Sequence, residues 1–222
     1  MPDVGSVVGR ARERGISEIL HFTTSTGLIG ILASGTLLSR DRLKEDDYVH
    51  NVTLLNSPSR DRDAAWTDYV NLSVSIVNSH MLGYSVSWHQ TDNIWWAVLA
   101  FSVDILGDEG VFFTTTNNVY PVCKRATGLH GFEEMFADRV AWGKFGLIIS
   151  RPSAMAPHLT THFQAEVLYP QRIPLDHLTA IYVQEPGHVD EVEAILAGIS
   201  YGSSVELSNV VVACNPEIFQ TG

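Results

Sequence analysis

The sequence predicts an α+β fold with strands dominating its centre. Three observations lead there. Tyr69 to Val77 alternates apolar and polar side chains as a strand does, and Trp95 to Val103 is an apolar run of strand length. Leu28-Ile29-Gly30-Ile31-Leu32 has the character of an amphipathic helix, with Thr and Ser caps before it and Gly35 placed to close it at C′.

Taken in order, residues 6–14 form a short leading helix and Ile19 to Phe22 a short strand, which a loop joins to the Leu28–Leu32 helix. Strand, loop and helix in that order make an edge suited to a ligand. The alternating and apolar strands follow, then a short aromatic-rich strand from Gly110 to Thr115. Lys124 to Thr161 mixes Gly, Pro, Arg and aromatic residues around one helix near Phe132 to Phe136, and reads as a long, partly irregular connection of the kind that often carries function. Ala165–Tyr169 and Leu178–Val183 are β-rich, Val189–Ala197 is helical, and Asn209–Ala213 is a final strand. No internal repeat or linker divides the chain, so residues 1–222 are expected to be one domain.

Composition agrees with a globular chain and narrows its partners. Of 222 residues, 45% are apolar and 18% charged, and the length suffices to bury a core without disulfide or metal. Cys123 and Cys214 are too few for a disulfide framework. The N-terminal stretch lacks an apolar h-region, and the longest apolar run, Ile94 to Phe101, is far short of the roughly 20 residues of a membrane span. A cytoplasmic protein without membrane contact is the expectation. The net charge of −11 argues against nonspecific coating of nucleic acid, which needs Lys and Arg to displace counterions. However, the last fifty residues hold seven acidic and no basic side chains, so a local basic groove remains open to the earlier part.

The most informative constellation is Thr160-Thr161-His162-Phe163-Gln164-Ala165-Glu166-Val167-Leu168-Tyr169, where an acid stands at the mouth of an apolar strand after the long connection. Residues i and i+2 of an extended segment point the same way, so Gln164 and Glu166 are expected to enter one cleft together.

In sequence order, HFTTSTGLIGILASGTLL, RDRDAAWTDYVNLSVSIVNSHML, WWAVLAFSVDIL, FFTTTNN, FEEMF and HFQAEVLYPQRIPLDHLTAIYV resemble the DarT family of DNA ADP-ribosyltransferase toxins over about residues 18–183. The resemblance implies an ADP-ribosyltransferase-like split β-sandwich with flanking helices, holding NAD as ADP-ribose donor in a cleft. It places Glu166 at the family's catalytic glutamate, facing the positive charge that develops on the ribose as nicotinamide departs, as in glycoside hydrolysis. Gln164, in a Q-x-E arrangement, would present its amide to the acceptor.

By the same resemblance His21, Phe22 and Thr23 match the opening H-[FI]-T strand that binds nicotinamide and ribose. Arg62 falls at an arginine suited to clamp the pyrophosphate, with Arg60 the offset alternative. Ser73 resembles a strand serine that shapes the nicotinamide pocket. Asn117 matches a family asparagine, with Asn118 competing because the usual neighbouring alanines are absent. The loop from Gly143 to His162 corresponds to the substrate-selecting loop and offers Arg151, His158 and His162 as nucleotide contacts.

Other signals are weaker. His158 and His162 have i, i+4 spacing but no third ligand, so no metal is expected. GLIGILASG is not a GxGxxG after a strand. Trp95 and Trp96 fit the core better than a base-stacking role. The expected activity is NAD-dependent ADP-ribosylation of guanosine or thymidine in single-stranded DNA, with FEEMF and LSVSI leaning toward guanosine, in a bacterial toxin whose antitoxin is a separate chain. The alternatives are an RNA or protein acceptor, or a catalytically silent module that binds NAD or nucleic acid.

Overall fold

A computed structural model describes residues 5–45, 55–57, 59–143, 145–200 and 207–220. Its centre is an eight-stranded sheet in the order β12-β11-β4-β1-β3-β9-β5-β6. The strands are β1 (Glu18–Thr24), β3 (Tyr69–Val74), β4 (Trp96–Ser102), β5 (Phe112–Thr114), β6 (Arg125–Thr127), β9 (Val167–Pro170), β11 (Leu178–Val183) and β12 (Val211–Cys214). All neighbours run antiparallel except β11 and β12. Two small sheets flank it: β2 (Thr36–Leu38) with β10 (Arg172–Pro174), and a hairpin of β7 (Arg139–Trp142) with β8 (Leu147–Ser150).

β4 reads as an unbroken apolar run because both of its faces are covered. Ala97, Leu99 and Phe101 join the main core with Leu28, Leu32 and Val192, whereas Trp96, Val98 and Ala100 join a second core with Leu20, Leu82 and Phe219. Burial on two faces removes the polar alternation that a one-sided strand keeps. Trp96 is thus a core residue, and Trp95 packs partly buried against the main core.

Helix α1 (Val7–Glu13) starts at Ser6, whose side chain accepts from Gly9 N–H, and α2 (Ser25–Ser34) starts at Thr24, which accepts from Gly27 N–H. Gly35 ends α2 at φ 71°, the left-handed conformation expected of it. α3 (Arg40–Glu45) follows β2, α5 (Gly128–Glu134) precedes the hairpin, and α6 (Pro186–Ser200) joins β11 to β12. The parallel pairing of those strands requires such a crossover.

Three expectations are corrected. Helix α4 (Ser79–Trp88) follows β3 where none was expected; only Leu82 and Ser85 of it are buried, which leaves a weak apolar period, and its clearest signal is Asn78 accepting from Met81 N–H. β3 stops at Val74 rather than Val77 because Ser75 takes φ 61°. The connection from Lys124 to Thr161 is more regular than expected, since it contains β6, α5 and the β7–β8 hairpin, whose turn uses Gly143 and Gly146 at φ 73° and 64°.

The sheet forks at β3. β1 meets β3 only at Ile19–Val74 and Leu20–Ser73, and from His21 to Thr24 it pairs with β4 alone. From Tyr69 to Leu72, β3 instead pairs with β9. The two halves of the sheet therefore separate along the length of β1 that carries His21, Phe22 and Thr23.

α1 is fastened to the far half by ions. Arg10 Nε and Arg14 Nη2 each donate to one oxygen of Glu133, at 2.5 Å. Burial pulls the Glu133 carboxyl up, but the two guanidiniums outweigh it and hold the group below the ordinary carboxylate range. Its stabilisation is present above the ordinary glutamate pKa and lost as the pH falls through the lowered one. E133Q is expected to cost about 1 kcal/mol after solvent screening, or about 2–4 °C in Tm. The deficit should be full in melts at pH 7 and shrink at pH 3.

Candidate active site

A cavity of about 730 Å³ fills the fork, within the usual range of small-molecule sites. β1 lines it with Leu20, His21, Phe22 and Thr23, β3 with Tyr69 to Ser73, and the opposite rim with Arg40, Arg60 and Arg62. Gln164 and Glu166 close it from the strand side.

Glu166 is 7% exposed and stands immediately before β9. Its backbone is paired with Thr114, whose N–H donates to the Glu166 carbonyl and whose hydroxyl accepts from Glu166 N–H, both at 2.9 Å. Its carboxylate is held at both oxygens. Asn71 Nδ2 donates to Oε1 at 3.2 Å, and the backbone N–H of Asn118 donates to Oε2 at 2.7 Å. Burial pushes the group up to about 7; the Asn118 and Asn71 hydrogen bonds and the nearby Arg60 charge pull against that shift. The site thus holds a carboxyl that titrates at neutral pH, the behaviour expected of a functional group.

Asn71 also fixes His21. Its backbone carbonyl lies 3.0 Å from His21 Nδ1. A carbonyl only accepts, so Nδ1 carries the proton and Nε2 keeps a lone pair. Burial holds the His21 pKa below its ordinary value, partly offset by that carbonyl. The ring is therefore neutral at pH 7.

Gln164 is not on a strand. Ala165 N–H donates to the His162 carbonyl, closing a turn that carries Gln164. The i, i+2 argument for a common direction does not apply to a turn, yet both side chains belong to the cavity wall. Trp142 Nε1 on β7 donates to Gln164 Oε1 at 3.2 Å.

Phe22 and Thr23 line the cavity, and the Phe22 carbonyl accepts from Asn56 Nδ2 at 2.5 Å. Ser73 lines it too, while its hydroxyl accepts from Asn78 N–H at 3.2 Å and anchors the turn into α4. The two arginines separate clearly. Arg60 is spent on Asp63 and on the carbonyls of Trp66 and Tyr69, whereas Arg62 is exposed and has no ion pair among the described residues. Asn117 faces the cavity with its Oδ1 accepting from Val119 N–H; Asn118 points away, toward Arg125, and reaches Glu166 through its backbone.

Arg151, His158 and His162 are not brought to the cavity. Arg151 donates to the carbonyls of Ala156 and Leu159, so it braces its own loop. The His158 carbonyl accepts from Ser75 Oγ. His162 is 3% exposed, between Trp142 and Phe163, and accepts Gln164 N–H at Nδ1. Burial, with a contribution from His80, lowers its pKa to about 4. The loop thus satisfies Arg151 and His162 internally. No group of three or more His, Cys, Asp or Glu able to hold a metal occurs among the described residues.

Sequence reasoning missed Asn71, Trp142 and Arg125. Asn71 had a readable signal, since it alternates with Ser73 on β3 and both meet the cavity. Arg125 had none, because its value lies in bonding the Asn118 side chain and backbone and so aiming the Asn118 N–H.

Known proteins share this fold. Solved structures similar to the chain include Thermus sp. 2.9 DarT in complex with NAD+, at 18% identity and TM-score 0.58 over 92% of this chain and 98% of that one. The same Thermus protein in complex with ADP-ribosylated ssDNA matches at 18% identity and TM-score 0.60 over 93% and 97%. Thermosipho africanus DarTG in complex with ADP-ribose matches at 14% identity and TM-score 0.57, over 91% of this chain but 51% of that one. At such identities the likeness establishes the fold. No curated protein matches the chain in sequence. The family model described as "DarT: ssDNA thymidine ADP-ribosyltransferase, DarT" matches residues 20–219, and with the forked sheet and its buried glutamate in view, the chain belongs to the DarT family of single-stranded-DNA ADP-ribosyltransferases.

Proposed function

We propose that this protein transfers ADP-ribose from NAD to thymine in single-stranded DNA and that it acts as the toxin of a bacterial toxin–antitoxin pair. The observation that carries the catalytic part is Glu166, buried in the cavity wall with both oxygens pinned and its pKa at about 7. Thymine is taken from the family description in preference to guanosine, the base toward which FEEMF and LSVSI lean. The toxin role is supported by family membership and by the likeness to a DarTG.

The residues present suit NAD. The cavity has the volume of a small-molecule site, an exposed guanidinium at Arg62 with no ion pair among the described residues for a pyrophosphate, a neutral imidazole at His21, and a carboxyl at Glu166. When bound, NAD supplies a ribose that becomes electron-poor at its anomeric carbon as the bond to nicotinamide breaks. Glu166 as carboxylate stabilises that charge, and because Asn71 and Asn118 already orient it, no reorganisation is needed as the charge appears. His21 Nε2 accepts from a ribose hydroxyl, and Asn71, bonded to both, keeps the imidazole and the carboxylate in register. Phe22, Thr23, Ser73 and Asn117 shape the remaining wall.

The acceptor base reaches the site unpaired, since chemistry at a base edge needs the base out of its stack. Exposed rings suit such a strand despite the acidic net charge: Tyr84 and Trp88 stack on each other at the cavity mouth, and Phe145 projects from the β7–β8 turn, 92% exposed. Stacking on aromatics contributes about 1–3 kcal/mol per base without added charge.

The decisive experiment incubates the protein with labelled NAD and separate pools of single-stranded DNA, RNA and protein. Label in DNA, recovered as an ADP-ribosylated thymidine on nucleoside mass spectrometry, is the expected result; label only in protein or RNA would overturn the acceptor. E166Q should lower kcat by about 10²- to 10³-fold, the scale for loss of a preorganised electrostatic contact, while NAD binding by calorimetry changes little. Wild-type kcat/KM should rise with pH through an apparent pKa near 7, because the free enzyme needs Glu166 ionised; a profile flat from pH 5 to 8 would remove the carboxylate role. R62A should raise KM for NAD about 10- to 150-fold with kcat nearly unchanged, the scale of one charge-assisted hydrogen bond of about 1.5–3 kcal/mol.

A further inference from the structure

The hydrogen bond between Trp142 and Gln164 settles which way the glutamine amide faces. An indole nitrogen can only donate, so the atom 3.2 Å from Trp142 Nε1 must be the Gln164 carbonyl oxygen. The opposite end of the amide is then NH₂. Gln164 belongs to the cavity wall, and its Nε2 has no hydrogen-bond partner among the described residues. What Gln164 offers the cavity is thus a donor.

The indole is itself held from several sides. Trp142 pairs with Leu147 in the hairpin, Tyr120 meets the ring edge-on at 6.3 Å between centroids, and the His162 ring lies 5.5 Å away at 30°. The glutamine backbone is pinned as well, through Gln164 N–H to His162 Nδ1 at 3.2 Å. A half-turn of the side-chain amide would break the Trp142 hydrogen bond and set donor against donor.

Resting on the proposed base-modifying activity, we propose that Trp142 is a positioning residue that fixes the Gln164 amide as a donor and thereby selects acceptor bases presenting a carbonyl oxygen beside the reacting edge. Thymine, with carbonyls flanking its N3–H, satisfies that donor. Adenine, which carries no carbonyl, would set its amino group against that donor and leave two polar groups unpaired. A site built around a hydrogen bond rejects a partner that cannot make it far more strongly than a shape-selective pocket rejects an isostere. Trp142 does not line the cavity, so its influence runs through Gln164.

The test compares wild type, W142F, Q164A and the double variant on single-stranded oligonucleotides that share flanks and carry one T or one A at the centre, with both products measured by mass spectrometry. Phenylalanine keeps the ring but has no donor. W142F is expected to lower kcat/KM for the T oligonucleotide about tenfold and to narrow the T-to-A preference by a similar factor. In the Q164A background it should have no further effect on either. A ratio between two substrates does not depend on the folded fraction, so partial instability of W142F cannot mimic the result. An unchanged T-to-A ratio in W142F, or the same loss repeated undiminished on Q164A, would overturn the assignment while leaving the proposed function standing. Absence of transfer to any oligonucleotide by the wild type would overturn both.

Discussion

A carboxyl group placed inside protein, with two hydrogen bonds in place of water, is the constraint around which this molecule is organised. Glu166 sits at the point where β9 leaves the loop, and burial raises its pKa to about 7 against the pull of the Asn118 N–H, the Asn71 amide and Arg60. Ionising such a group costs folding stability as the pH rises from the ordinary glutamate range to about 7, because the folded state binds the proton more tightly than the unfolded chain does. The neighbours that hold it are therefore held themselves: Asn118 by Arg125, Asn71 by its place in β3, the Glu166 backbone by Thr114. A rigid shell around a group that would rather be neutral is the arrangement that stabilises charge appearing nearby.

The forked sheet gives that shell its shape. Had β1 and β3 paired along their whole length, the backbone of Asn71 would have spent its carbonyl on a ladder bond and no space would have opened. Because the pairing stops after Leu20 and Ser73, the Asn71 carbonyl turns to His21 while its side chain reaches Glu166. One asparagine thus couples the two halves of the sheet across the cleft, joining the imidazole of β1 to the carboxylate of β9.

Much of the fold was legible beforehand, for reasons that differ by element. α2 was readable from its caps, since Thr24 and Gly35 act locally and do what their chemistry allows anywhere. β4 was readable because two covered faces leave a run of apolar residues with no interruption. α4 was not, as a surface helix that buries only Leu82 and Ser85 has almost no periodicity to read. The hairpin of β7 and β8 was hidden for a related reason: Leu147 and Ile148 remain exposed, so the usual inward and outward alternation is missing.

At the site, the sequence by itself determined the chemical inventory: a carboxylate and an amide two residues apart, an imidazole on the first strand, arginines ahead of the second. Those are properties of residue type and spacing, which survive whatever the chain does. Only the tertiary structure decided which of them face the cavity. Arg151 turned to the backbone carbonyls of Ala156 and Leu159 in its own loop, and His162 packed between the rings of Trp142 and Phe163. Arg60 was claimed by Asp63 and Arg62 was left exposed, although the two are one residue apart from the same choice. The direction of a side chain and the burial of its charge are set by contacts distant in sequence, and no local pattern records them.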